Sequence, residues 1–384
     1  MKTGTSRTGR AYRTVGYDPA VTSSEKGGKA LRVAVSLGLA AVLLVLFLRT
    51  LDFAAVGAAI RGAHVGWLAA ATACGLIATP LFRSWRWGLL LRRAGRPSAY
   101  DLNSATSIGF AASTLLPARA GEIVRPVALA RRAGLPVAPC LASIALERLI
   151  DLVTCVLLFV VYAVGWAPQN MGGEAAGRFA TLRHFALLFG AGTLAGLTVL
   201  GLLAAKPERT DRFVRPFLRP LPGKIGARIE AILLSFLDGL GALGTVKDIA
   251  VVAAASLALW TLIAAQVWMT LLAFDLALPY PVSFFVIAWA ILGLAIPTPG
   301  GVGGYHTAVA YALTGFYGVG KDTAGAFALV SHALSFVPIT LLGLVFLLAG
   351  GLSLKALREE GRKEEDAETR AAGAKLADQD AAGE

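Results

Sequence analysis

The chain has 384 residues, 56% of them hydrophobic and only 16% charged, against about 25% charged residues in ordinary soluble domains. Long uncharged runs alternate with short segments rich in Arg and Lys, which excludes a soluble enzyme and indicates a polytopic membrane protein. The net charge of +12 sits in those short segments, where the positive-inside bias places it, so nucleic acid is not expected as a partner.

Residues 1–30 form a polar, basic tail with Lys2, Arg7, Arg10, Arg13, Lys26 and Lys29. That tail is too long for the n-region of a signal peptide, so the first apolar run reads as a retained span. Six apolar runs approach or exceed the ~20 residues that a helix needs to cross the hydrocarbon core. They are Leu31–Leu48, Ala63–Phe82, Cys140–Ala163, His184–Ala204, Ile249–Ala273 and Ala324–Gly350. Two further regions, 101–132 and 281–317, are apolar but interrupted by Pro and Gly. Basic residues cluster in the tail, after the second run (Arg83, Arg86, Arg92, Arg93, Arg96) and after the fourth (Lys206 to Arg228). The alternate loops are poor in them. This pattern predicts both termini in the cytoplasm of a multi-pass cell-membrane protein.

The same bias makes each interrupted region a re-entrant hairpin. If 101–117 crossed fully, Arg131 and Arg132 would lie outside. Re-entrant backbone is tolerated where it is buried in protein or lines a polar cavity. The order span, span, broken hairpin, span then occurs in residues 31–165 and again in 184–350. With three full spans per copy, the second copy is inverted. Inverted repeats with broken helices are a transporter architecture. The expected fold is therefore all-α, with about six full spans and two re-entrant hairpins. A cytoplasmic loop over 205–248 and a charged cytoplasmic tail over 355–384 complete it.

Charged residues at membrane depth are costly and often functional. Pro117-Ala118-Arg119-Ala120-Gly121-Glu122-Ile123-Val124-Arg125 places Arg119, Glu122 and Arg125 at i, i+3 and i+6. On a helix they share a side, fit either to grip a phosphate or to form a structural ion-pair ladder. Glu147, Arg148 and Asp151 follow, with the carboxylates at i and i+4. They read either as a proton-coupled pair or as a salt-bridged anchor at the membrane edge. The run Pro297-Thr298-Pro299-Gly300-Gly301-Val302-Gly303-Gly304-Tyr305-His306 can cradle an anion in backbone amides or simply allow a tight turn. No nucleotide loop follows it. His306 and His332 are lone histidines in apolar context, where a hydrogen-bonded core role competes with ligand binding. Trp85, Arg86 and Trp87 look like an aromatic and basic anchor at the inner interface. Enzyme signatures are absent, three scattered cysteines make neither a metal site nor a disulfide framework, and no cofactor is indicated.

At these motifs the sequence resembles the flippase-like membrane family related to the transmembrane region of lysylphosphatidylglycerol synthase. The resemblance rests on Arg83-Ser84-Trp85-Arg86-Trp87, Pro117-x-Arg119-x-Gly121-Glu122, Glu147-Arg148-x-x-Asp151 and Pro297-Thr298-Pro299-Gly300-Gly301, spread over about 31–350. It implies movement of a phospholipid or lipid-linked headgroup between leaflets. Members commonly carry Glu near the position of His306, a departure in this chain. Headgroup contacts are expected from Arg119, Glu122, Arg125, Gly300, Gly301, Gly303, Gly304 and His306, and charge coupling from Glu147, Arg148 and Asp151. Lysyltransferase activity is not expected, because no segment outside the membrane part could form a soluble catalytic core. Two other functions compete with a lipid transporter: a membrane partner of a lipid or glycan synthase, and a small-solute carrier.

Overall fold

The computed structural model describes residues 34–360 except 36, 117–119, 169–172, 206–244, 352, 355 and 358. The described residues are helical, without strands. The first helix, α1 (Leu37–Leu48), meets α2 (Phe53–Gly62) at a bend of 84°. The corner is made by Asp52, whose carboxylate accepts the Ala54 and Ala55 amides at 2.8 and 3.3 Å as an N-cap. Its own amide donates to Asp322 Oδ1 at 2.9 Å, tying the corner to the start of the last long helix.

Val65–Leu90 is one helical rod of 26 residues, but it is not uniform. It consists of α3 (Val65–Leu76), a π-helical stretch Ile77–Arg83 holding Pro80, and α4 (Ser84–Leu90). Proline lacks the amide that the helix ladder needs, and the widened turn absorbs the defect. The bulge ends on Arg83, so it sets the direction in which Arg83 and Arg86 leave the rod.

Next come α5 (Ala99–Leu115), α6 (Gly121–Ala133), α7 (Val137–Gly165) and α8 (Gly173–Ala205). After them lie α9 (Val246–Ala273), α10 (Val282–Ala295), the 3-10 turn Pro299–Gly301, α11 (Gly304–Tyr317) and α12 (Lys321–Ala349). Three of these rods, Val65–Leu90, Lys247–Ala273 and Lys321–Ala349, are long and apolar enough to cross a membrane, or four spans if α1 and α2 together make one. The expected runs Cys140–Ala163 and His184–Ala204 fall within α7 and α8, which are 29 and 33 residues long but are not among those rods. Large apolar side chains face outward on α1, α8 and α12, including Leu46, Leu188, Phe189, Val345 and Leu348. Water would penalise such a surface; lipid does not.

Both interrupted regions are antiparallel helix pairs closed by glycine against glycine. A Cβ on Gly121 would fall onto the Gly109 carbonyl between α5 and α6. A Cβ on Gly293 or Gly304 would fall onto the other's carbonyl between α10 and α11. Small residues let backbones approach this closely. At 14 residues each, α10 and α11 reach only about 21 Å, short of the ~30 Å hydrocarbon core. Helix α12 lies along α5, where Gly343 meets the Ser107 carbonyl and Thr340 Oγ1 donates to Thr114 Oγ1 at 3.1 Å. Helix α10 packs on α7 in turn, and α3 packs on α9.

Candidate functional site

A cluster of buried charge lies where the bulged rod, α6, α7 and α9 meet. Arg83 Nη1 donates to Asp151 Oδ2 at 2.8 Å and to Glu147 Oε1 at 3.4 Å. Arg86 Nη1 donates to Ser256 Oγ on α9 at 2.9 Å, and its Nη2 forms a close ion pair with Asp151 Oδ1 at 2.7 Å. Arg125 Nη1 donates to Glu147 Oε1 at 2.7 Å, and Arg148 Nη2 reaches the same oxygen at 2.6 Å. Trp260 Nε1 donates to Asp151 Oδ1 at 3.0 Å. Arg86 and Glu147 are fully buried, and Arg83, Arg125 and Asp151 nearly so. Unpaired, any of these groups would be prohibitive in an apolar interior; paired, they hold the four elements in one arrangement.

The pairing is incomplete in a directed way. Within a guanidinium, Nε and Nη2 lie on one edge and form the fork that binds carboxylate or phosphate through two parallel hydrogen bonds. Arg125 uses Nη1 for Glu147, while its Nε and Nη2 are buried without a hydrogen-bond partner. Arg83 Nε and Arg86 Nε are also buried without one, as is Arg86 Nη2, which has only its ion pair with Asp151. The Arg125 guanidinium carbon lies over the Trp87 indole, 4.1 Å from its centroid, and Trp87 Nε1 donates to Ser143 Oγ at 2.8 Å. Glu147 Oε2 is the single carboxylate oxygen of this pair of acids in the same condition. The cluster can thus offer a fixed guanidinium fork, two further N–H donors and one acceptor to a polar group that enters it.

The second hairpin builds a different environment. Gly300, Gly301 and Gly303 have φ of 60°, 72° and 86°, a region that side chains resist. Within the turn, the Gly301 amide bonds to the Thr298 carbonyl at 3.1 Å, and that of Val302 to the Pro299 carbonyl at 3.2 Å. The Gly303 amide donates to His306 Nδ1 at 3.3 Å. His306 therefore serves α11 as a Glu or Gln at N3 commonly serves a helix start. His332 Nε2 lies 2.8 Å from the Gly300 carbonyl, which requires the proton on that nitrogen. The two imidazoles meet edge to face at 4.7 Å, and Phe47 of α1 stacks on His306 at 5.4 Å.

Residues 30–343 match the family described as the lysylphosphatidylglycerol synthase TM region. The chain belongs to that family. It is also similar to the protein named glycosyltransferase AglD of Haloferax volcanii, at 30% identity over 88% of this chain. The chain spans 58% of that relative's length. No solved structure matches it.

For this family member the structure brings together some of the expected residues and separates others. Glu147, Asp151, Arg125 and Arg148 meet, although α6 and α7 were read as separate motifs. Glu122, on the first turn of α6, is half-buried and close enough for its charge to act on Arg148. Arg119 lies outside the described residues. Gly300, Gly301, Gly303, Gly304 and His306 gather at the second turn, where Gly300 approaches Thr114 at the end of α5. The expected interface anchor divides. Trp85 is half-exposed, whereas Arg86 and Trp87 are wholly buried and enter the charge cluster. Helical geometry accounts for this, since consecutive residues diverge by about 100° around the axis. Arg83 joins them one turn earlier. Sequence reasoning counted it among the basic residues at the end of the second run, in the aromatic and basic stretch of the inner interface. The available signal was the Arg83/Arg86 spacing of three beside Pro80 in an otherwise apolar run.

Proposed function

We propose that the protein carries a lipid headgroup between leaflets, with the buried cluster as its binding site. The observation that supports this most directly is the unpartnered Nε and Nη2 edge of Arg125, buried among helices of a membrane protein. A desolvated fork of this kind is costly when empty and matches a phosphate oxygen pair when filled. In this reading six rods cross the bilayer with both termini inside, and α5/α6 and α10/α11 are the two re-entrant hairpins of an inverted repeat. The helix contacts support it: α12 lies on α5 as α10 lies on α7, and α3 and α9, the corresponding rods, pack on each other. Glu122 would then line the path from the first copy's side, and the Gly300–Gly304 turn with His306 from the second's. Glu147, Asp151 and Arg148 would fix the arginines and balance their charge.

The test is lipid translocation in proteoliposomes with Arg125→Lys. Lysine keeps the charge and loses the fork. Transport is expected to fall by at least about tenfold while the protein still inserts and purifies, a loss of roughly 1.4 kcal/mol of binding. Wild-type transport in Arg125→Lys would remove the fork from the mechanism.

A second reading has one observation in its favour, the glycosyltransferase name of the relative. The chain would then serve as a membrane partner of a glycan-assembling enzyme, presenting its lipid acceptor. Stoichiometric co-purification of such an enzyme, with no lipid movement by the chain alone, would favour it.

A further inference from the structure

Two imidazoles clasp the second turn in opposite roles. His306 Nδ1 accepts the Gly303 amide at 3.3 Å, and His332 Nε2 donates to the Gly300 carbonyl at 2.8 Å. Between those two bonds the backbone runs through glycines at positive φ. We propose that His306 is a proton-binding site that latches this hairpin: the turn stays closed while the imidazole is neutral and opens when it takes up a proton. The proposal stands on the geometry of the turn and does not depend on what the charge cluster binds.

An imidazole accepts a hydrogen bond only through a nitrogen that carries no proton. In neutral His306 that nitrogen is Nδ1, and Nε2 holds the hydrogen. A second proton has to go to Nδ1, where the Gly303 N–H already points, so an acceptor becomes a donor facing a donor. His332 differs, because its bond uses an N–H that protonation of the other nitrogen leaves in place. The surroundings also oppose a cation at His306. The residue is 4% exposed, and Phe47 of α1 stacks on its ring. It is the third residue of α11, at the positive end of the helix dipole. Among the described residues, His332 is the group whose charge acts on it. Tyr305, the other titratable side chain in ring contact, has its hydroxyl engaged with Ser331 Oγ at 3.1 Å. Nor can the closed turn adjust in place. Leu43 and Leu44 of α1 lie so close to Gly303 that a Cβ there would strike them. The proton is accommodated by moving the turn away from α1. Opening is thereby linked to uptake of one proton, and falling pH favours it by up to about tenfold per pH unit.

Thr298 supplies the reporter position. It begins the turn, it is buried, and its Oγ1 has no hydrogen-bond partner, so Thr298→Cys breaks no bond. The full chain, with Cys74, Cys140 and Cys155 replaced by Ala, is reconstituted in phosphatidylcholine vesicles. Labelling of the new thiol by a small neutral maleimide is measured at each pH relative to the same chain unfolded in detergent, which cancels the thiol's own titration. The ratio should rise at least about tenfold between about pH 8 and about pH 5. His306→Gln should stay at the low ratio throughout, since Gln at this position can accept the Gly303 amide and binds no proton. A flat ratio in the parent, or an equally steep rise in His306→Gln, would overturn the latch. A second measurement needs no reporter: 15N spectra of the unmodified chain, labelled at its four histidines. The His306 signal, assigned by its loss in His306→Gln, should convert to imidazolium over the pH range in which the turn opens. A signal that stays neutral while the turn opens would equally refute the proposal.

Discussion

Replacing Glu147 by Gln should be the most damaging isosteric change in the chain. The side chain keeps its size, but Oε1 loses the charge that Arg83, Arg86, Arg125 and Arg148 approach at 3.4, 3.7, 2.7 and 2.6 Å. At an effective dielectric of about 20, a pair of unit charges 4 Å apart attracts by about 4 kcal/mol. Four such pairs far exceed any plausible net value, because desolvation of the carboxylate and repulsion from Asp151 oppose them. Removing one partner of a buried ion pair typically costs about 3–5 kcal/mol, since the remaining charges are left uncompensated. We therefore expect Glu147→Gln to lose about 3–5 kcal/mol of unfolding free energy, measured by reversible unfolding in mixed micelles. Removing one of the stranded cations, in Glu147→Gln with Arg125→Gln, should recover part of that loss. A change under about 1 kcal/mol, the range of exposed pairs, would show that the carboxylate does not hold the arginines.

Other expected outcomes follow from burial, backbone and topology. Trp87→Ala should destabilise by about 3–5 kcal/mol in the same assay, because the indole is buried and supports Arg125; Trp85→Ala, half-exposed, should change stability by less than about 1 kcal/mol. Gly301→Ala should abolish lipid movement and cost about 1–2 kcal/mol for its left-handed φ, with further loss from contact with Leu294. Val302→Ala, at φ −59°, should leave movement largely intact, and normal transport by Gly301→Ala would reduce the turn to packing. Single cysteines at Gly95 and Gly223 in a cysteine-free background should be protected from an impermeant thiol reagent outside, whereas one at Gly173 should react. The reverse pattern would invert the topology.

Much of the fold was legible because apolar runs and their breaks are local properties of the chain. The expected run Ile249–Ala273 lies inside α9, Val246–Ala273. The interrupted regions are helix pairs in the expected places, since Pro and Gly end helices wherever they occur. The Glu147/Asp151 spacing announced a shared helical face, and both carboxylates are buried together. The second turn was legible too, because runs of glycine mark positive φ.

What the sequence could not determine was which charges face which. Nothing local tells that Arg86 and Trp87 turn inward while Trp85 stays half-exposed, since that depends on where α6, α7 and α9 pack around the rod. Glu147 and Arg148 are adjacent in the chain, yet one is buried and the other exposed. Arg125 and Glu147 are 22 positions apart and meet only because α6 turns back beside α7. His306 acts as a helix cap because Gly303 leaves its amide within reach. Residue type and spacing decided the helices and the medium that surrounds them. Only tertiary packing decided which edge of Arg125 is occupied and which is left vacant, because that depends on partners from separate helices converging on one buried point.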